Sequence, residues 1–163
     1  MTRFLASLGR VWWRLLGAAA GISVLFFALM MTPPPDQSDG YLTPPQALAV
    51  SQQGARLLID IRTPAEWRET GVAPNAALAD YNGLGRGGGF IARVNALVDG
   101  DKAAPIALIC ATGGRSSRAT ALLRAAGFED VHDVHEGMIG NMDGPGWLAR
   151  GLPVAPVQRR KTQ

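Results

Sequence analysis

The hydrophobic pattern divides the chain in two. From Val11 to Met31 the chain is apolar except for Arg14, and from Leu15 to Met31 it carries no charge. Beyond Gly40, apolar runs of strand length alternate with segments whose apolar positions recur at helical spacing. Tyr41-Leu42-Thr43 reads as a short extended piece, and Thr43 before Pro44-Pro45 as a helix start with Ala47, Leu48 and Val50 as packing positions. Arg56 to Ile61 is nearly continuous in apolar residues, the pattern of a parallel strand covered on both faces. Thr63-Pro64-Ala65-Glu66 supplies an N-cap, a first-turn Pro and a capping Glu for a short helix. Ala76 to Ala79 predicts a short strand, Asn82 to Gly89 a mobile glycine-rich loop that is either a connector or a border of the site, and Phe90 to Val98 a helix on the sheet. Pro105 to Ile109 is the second strong strand, and Ala119, Leu122, Leu123 and Ala126 mark the helix after it, stopped by Gly127. Val131 to Val134 predicts the last strand, and Asp143 to Arg150 a terminal helix ended by Gly151 and Pro153. This alternation predicts an α/β fold: a mainly parallel central sheet of about five strands flanked by helices.

The apolar run before this domain predicts an N-terminal transmembrane helix over Val11 to Met31. Its twenty-one residues span about 31 Å as a helix, close to the hydrocarbon core of a bilayer. Trp12 and Trp13 suit an interface, and Arg3, Arg10 and Arg14, with no acidic residue among them, predict a cytoplasmic N-terminus. A cleaved secretory signal is the competing reading, but the small-x-small pattern of a cleavage site is missing around Phe27 to Met31. Either way the rest of the chain lies outside the cytoplasm, in the periplasm if the source is bacterial. The expected organisation is a membrane anchor over 1–31, a Pro-rich spacer over 32–40, one domain over 41–155 and a basic tail over 156–163.

Charge adds little. Arg3, Arg10 and Arg14 are the only charges in the first 35 residues, and the remainder balances thirteen basic against thirteen acidic residues. The computed pI of about 9.6 therefore indicates no phosphate-backbone footprint, and no basic patch interleaved with aromatics occurs, so nucleic acid is not an expected partner. One cysteine in 163 residues excludes an intrachain disulfide and any multi-cysteine metal centre. No cofactor and no metal are expected. His132 and His135 flank the last strand with no second cluster, and read as surface or core histidines rather than ligands or bases.

The chemistry concentrates on that cysteine. Cys110 ends an apolar strand, continues into Ala111-Thr112-Gly113-Gly114-Arg115-Ser116 and meets a helix. A helix N-terminus offers unpaired N–H groups and the positive end of a dipole, and with a neighbouring cation such as Arg115 it favours a thiolate. A lone cysteine ending a strand is ordinarily an inert core residue. The Gly-Gly-Arg-Ser run directly after it serves no core-filling purpose and marks Cys110 as a candidate nucleophile. The reading requires a sulfur that ionises and can be reached. Asp60 and Arg62 end the preceding strong strand, at the sheet edge where ligands gather in parallel α/β folds.

Cys110 to Ser116 with its helix resembles the active-site loop of the rhodanese (sulfurtransferase) family. Leu57-Leu58-Ile59-Asp60-Ile61-Arg62 with Glu66-Trp67 is similar to that family's strand and Asp-x-Arg motif, and Glu136-Gly137-Met138, Gly146-Trp147 and Gly151-Leu152-Pro153 resemble its closing landmarks. Together these cover Tyr41 to Val154 in the family's order. The chain departs from the pattern at Thr70 to Ala76, where the family's histidine is missing.

The resemblance implies a rhodanese-like fold and transfer of a sulfane sulfur through a Cys110 persulfide. Cys110 is then catalytic, Ala111, Thr112, Gly113, Gly114, Arg115 and Ser116 cradle the substrate, Arg62 binds its anion, and Asp60 is structural support. The implied partners are a small sulfur donor, thiosulfate or a persulfide, a thiol acceptor, the membrane through Val11 to Met31, and a membrane-protein neighbour. Two alternatives stand beside it. One is a membrane-tethered, non-catalytic binding module, favoured by the uncharged Ala111-Thr112 and the Pro-rich spacer. The other is a thiol phosphatase or arsenate reductase, whose loop has one residue more between cysteine and arginine than the four found here, and a histidine where this chain has Ile109.

Overall fold

The computed structural model describes residues 40–85 and 87–157. Five strands form one parallel sheet: β1 (Tyr41–Leu42), β2 (Leu57–Asp60), β3 (Ala77–Leu78), β4 (Ile106–Ile109) and β5 (Val131–Val134), in spatial order β1-β5-β4-β2-β3. The connecting helices are α1 (Pro44–Gln52), α2 (Pro64–Thr70), α3 (Gly88–Leu97) and α4 (Gly114–Ala125), with a four-residue α5 (Gly146–Ala149) near the end. The α/β sheet expected from the alternation is the one observed.

Central β4 lies between β5 and β2, and all four of its residues are buried. Its side chains alternate between two cores, which is why its sequence is apolar throughout. Ile106 and Leu108 join Ile59, Phe90, Val94 and Leu123. Ala107 and Ile109 join Leu42, Leu58, Val50 and Trp147 on the other face. The sheet is therefore covered on both sides, and Cys110 follows β4 at its C-terminal edge.

Local signals set the helix starts. The Thr43 N–H donates to Gln46 Oε1 at 2.8 Å. At α2, the Thr63 N–H donates to Glu66 Oε2 at 2.8 Å while Glu66 N–H donates back to Thr63 Oγ1 at 3.4 Å, the reciprocal capping expected there.

Two elements differ from expectation. Helix α3 begins at Gly88, so two glycines of the predicted loop are helical. The residues before it form a turn in which Asp80 Oδ1 accepts the N–H groups of Asn82 and Gly83, each at 3.0 Å. The predicted helix over Asp143 to Arg150 shrinks to α5 because Gly146 takes φ +78°, a left-handed conformation that stops a helical turn from running through it from Asp143. Asn141 and Gly144 instead close a tight turn, with Asn141 N–H donating to Gly144 O at 2.9 Å.

Among the described residues no helix is long and apolar enough to cross a membrane. The transmembrane run predicted over Val11 to Met31 lies outside the described residues, as do residues 32–39 of the spacer and 158–163 of the tail.

Trp147 is fully buried and its Nε1–H donates to Pro153 O at 2.9 Å, tying the segment after α5 to the core. Trp147→Ala is expected to cost about 3–5 kcal/mol of folding stability, read as a lowered midpoint in chemical denaturation.

Candidate active site

Cys110 follows the last residue of β4 at the C-terminal edge of the sheet. Gly113, at φ +84°, caps α4, and a side chain there would strike the carbonyl of His135. The loop between is bound from outside. Cys110 O accepts from Met138 N–H at 2.9 Å, Ala111 O from Ile139 N–H at 2.8 Å, Thr112 O from Asn141 Nδ2 at 3.1 Å, and Gly113 O from Ser117 N–H at 2.9 Å.

Ser116 supplies the contacts to the sulfur. Its N–H and its hydroxyl each lie 3.4 Å from Cys110 Sγ, and the hydroxyl also lies 2.9 Å from Gly113 O. Ser116 is the one described residue that donates to the sulfur; Ala111, Thr112, Gly113 and Gly114 form the loop without reaching it. Cys110 is only 1% exposed.

The two arginines expected to bind an anion are both committed. Arg62 is fully buried against a fully buried Asp60. Its Nε donates to both Asp60 oxygens at 3.0 Å and its Nη2 to Asp60 Oδ2 at 2.7 Å. The remaining donors go to Thr70 Oγ1 and Gly71 O, each at 2.7 Å. Arg62 therefore has its fork of donors engaged inside the protein, where it braces the end of β2 against the end of α2. Asp60 in turn accepts from Arg62 through both carboxylate oxygens.

Arg115 makes a two-point ion pair with Glu66, Nη1 to Oε2 at 2.9 Å and Nη2 to Oε1 at 2.5 Å. The hydrogen bonds from Arg115 hold the Glu66 carboxyl at about 2 against an ordinary 4.5, and Glu66 in turn raises Arg115. Arg115 still feels the charge of Cys110, but its own charge is shared.

Sequence reasoning gave Glu66 one task, the helix cap, and the structure gives it two. A carboxylate has lone pairs for both, and no local pattern signals a partner 49 positions away. Asp133 was also missed. It is 2% exposed, and burial pushes its carboxyl up to about 6, against opposing pulls from Ser116, His135 and Arg124. A cavity of about 540 Å³ adjoins the loop, lined among others by Thr112, Gly113, Gly114, Ser117, Asp133 and His135. His135 Nδ1 lies 3.1 Å from Leu42 O. Among the described residues no group of His, Cys, Asp or Glu is arranged to hold a metal ion.

A parallel α/β sheet with one thiol at a strand-to-helix junction, braced by two internal ion pairs, defines a thiol-centred α/β domain. The chain belongs to the rhodanese-like domain family, whose model matches residues 43–140. It is similar to the Rhodanese-like domain of an Anabaena protein, at 20% identity and TM-score 0.57, covering 76% of this chain and 83% of that one. A thiosulfate sulfurtransferase from Pseudomonas aeruginosa matches at 23% identity and TM-score 0.58 over 74% of this chain but 21% of that one. A homodimeric polysulfide-sulfur transferase from Wolinella succinogenes matches at 24% identity and TM-score 0.50, over 74% of this chain and 81% of that one. At these identities the likeness shows the shared fold. No curated protein matches the chain.

Removing one partner of a fully buried ion pair strands the other charge. Arg62→Ala is expected to cost about 3–5 kcal/mol of stability, measured by denaturation. Because the carboxyl of Glu66 titrates lower folded than unfolded, its pairing stabilises the protein above pH 4.5 and this contribution is lost as pH falls toward about 2. Glu66→Gln should flatten the stability profile across that window, read as the denaturation midpoint against pH.

Proposed function

We propose that this domain is a sulfurtransferase or persulfide carrier that moves a sulfane sulfur through Cys110. The observation that carries the reading is Cys110 Sγ at the end of β4, met by both the N–H and the hydroxyl of Ser116 at the start of α4. Membership in the rhodanese-like family supports it.

In the first step the Cys110 thiolate attacks the outer sulfur of a donor. A new S–S bond forms, the donor's S–S bond breaks, and the leaving group departs with the electron pair as an anion. In the second step an acceptor thiolate attacks the outer sulfur of the persulfide and Cys110 leaves as a thiolate. No net redox change occurs, and no proton need be delivered to leaving groups that are already anions. The Ser116 donors steady the sulfur charge in both states.

Neither Arg62 nor Arg115 offers an unshared charge, so a persulfide of low charge suits the site better than the thiosulfate dianion. The same pairing weakens the phosphatase alternative. Such chemistry needs an arginine free to embrace a tetrahedral oxyanion, in a loop one residue longer. The 1% exposure of Cys110 is the observation that favours the second reading, a binding module without sulfur transfer. The sequence of Val11 to Met31, preceded by Arg3 and Arg10, supports a single-pass anchor with a cytoplasmic N-terminus and the domain on the far side of the membrane.

After incubation with a low-molecular-weight persulfide, intact mass should rise by one sulfur atom, and Cys110→Ala should show no gain. Thiosulfate with cyanide should yield thiocyanate more slowly than a persulfide donor transfers sulfur, and a phosphate monoester should stay intact. An unmodified wild-type mass supports the binding module; phosphate release without thiocyanate supports the phosphatase.

A further inference from the structure

The cavity of about 540 Å³ beside the cysteine loop is not used by the transfer chemistry above. Its walls come from separate parts of the fold: Tyr41 of β1, Thr112, Gly113 and Gly114 at the start of α4, Asp133 of β5, and Asp143 in the turn beyond. Two of these are carboxylates, and among the described residues no lysine or arginine lines the space.

Asp133 is 2% exposed, yet it borders the cavity, and its Oδ1 is buried without a hydrogen-bond partner. Leaving such an oxygen without a donor is unfavourable, and a donor arriving from outside removes the penalty. The positive and donor groups nearby are engaged elsewhere. Arg124 of α4, whose charge is felt at Asp133, donates to Val131 O at 2.6 Å and does not line the cavity. Asn141 Nδ2 donates to Thr112 O at 3.1 Å and to His135 O at 2.8 Å, and His135 Nδ1 lies 3.1 Å from Leu42 O.

Asp143 is exposed, and its N–H donates to Asn141 Oδ1 at 2.8 Å. Because Asn141 also holds Thr112 O, the turn that carries Asp143 is fixed to the cysteine loop. Its carboxylate has no ion pair among the described residues. Tyr41, 55% exposed, sets its ring edge-on to that of His135 with centroids 5.7 Å apart. Carboxylates beside an aromatic ring suit an ammonium group, which donates charge-assisted hydrogen bonds to the first and is attracted by the face of the second. A metal ion fits less well, since among the described residues no group of His, Cys, Asp or Glu is arranged to hold one.

We propose that this cavity binds the primary ammonium group of a small organic molecule, paired with Asp133 and attracted by Asp143. The volume leaves room for the rest of such a molecule. The inference goes beyond sulfur transfer and does not depend on it. Thr112, Gly113 and Gly114 are cavity wall and cysteine loop at once, so an occupant lies against the proposed transfer site.

The test is a titration of the intact 163-residue chain with ethanolamine, followed by the backbone amide NMR signals of Thr112, Gly113 and Gly114. It is run well above pH 6, because burial pushes the Asp133 carboxyl up to about 6 and the pairing needs it ionised. Ethylene glycol, the same skeleton with a hydroxyl in place of the ammonium, is the neutral comparison. Ethanolamine should shift those signals saturably, with a Kd on the order of millimolar for so small a molecule, and ethylene glycol should not. Asp143→Asn should weaken binding roughly threefold and Asp133→Asn roughly tenfold or more. Shifts that do not saturate, equal shifts from both probes, or an affinity unchanged in Asp143→Asn overturn the proposal. Should Asp133→Asn not fold, the two probes and Asp143→Asn decide without it. Ethanolamine carries no sulfur, so its failure to bind removes the ammonium site and leaves the persulfide test of Cys110 standing.

Discussion

Backbone carbonyls leaving a sealed sheet must find donors, and this requirement shapes the site. Where β4 ends, the carbonyls of Cys110, Ala111 and Thr112 are taken by Met138, Ile139 and Asn141, all from the segment after β5. The Gly113 carbonyl is taken by the first turn of α4. A loop held at four successive carbonyls has little freedom to turn its sulfur elsewhere. The position of Cys110 against Ser116 thus depends on a neighbouring strand's exit loop as much as on its own flanking residues.

Charge at the same edge is neutralised in pairs. Asp60 and Arg62 are both fully buried, an arrangement whose desolvation cost is offset only because the guanidinium also reaches Thr70 and Gly71. These contacts tie the end of β2 to the end of α2. Glu66 on α2 then reaches Arg115 at the first turn of α4. The two pairs form a brace from β2 to the cysteine loop, in which the arginine beside the thiol shares its charge with Glu66.

The contrast between Asp60 and Asp133 shows how much burial alone leaves undecided. Both are nearly inaccessible carboxyls beside the same site. Asp60 has a guanidinium locked onto both oxygens, while Asp133 has an oxygen with no partner and is pushed up to about 6. Partners, not depth, separate a brace from a group able to change its charge near neutrality.

Much of this was legible in the residues alone. The apolar run Ile106 to Ile109, the Thr63 to Glu66 cap and the Gly-rich turn after Cys110 are local patterns, and strand, helix and thiol position follow from them because hydrogen bonding within a few residues enforces each. Arg62 and Arg115 read as anion binders for the same reason: a motif names a residue type but not its neighbour in space. Their partners, Glu66's second task and the isolation of Asp133 came from folding. They join positions many residues apart, and such contacts leave no periodicity in a chain. Side-chain accessibility, which seals Arg62 and encloses the sulfur, likewise exists only once both faces of the sheet are covered.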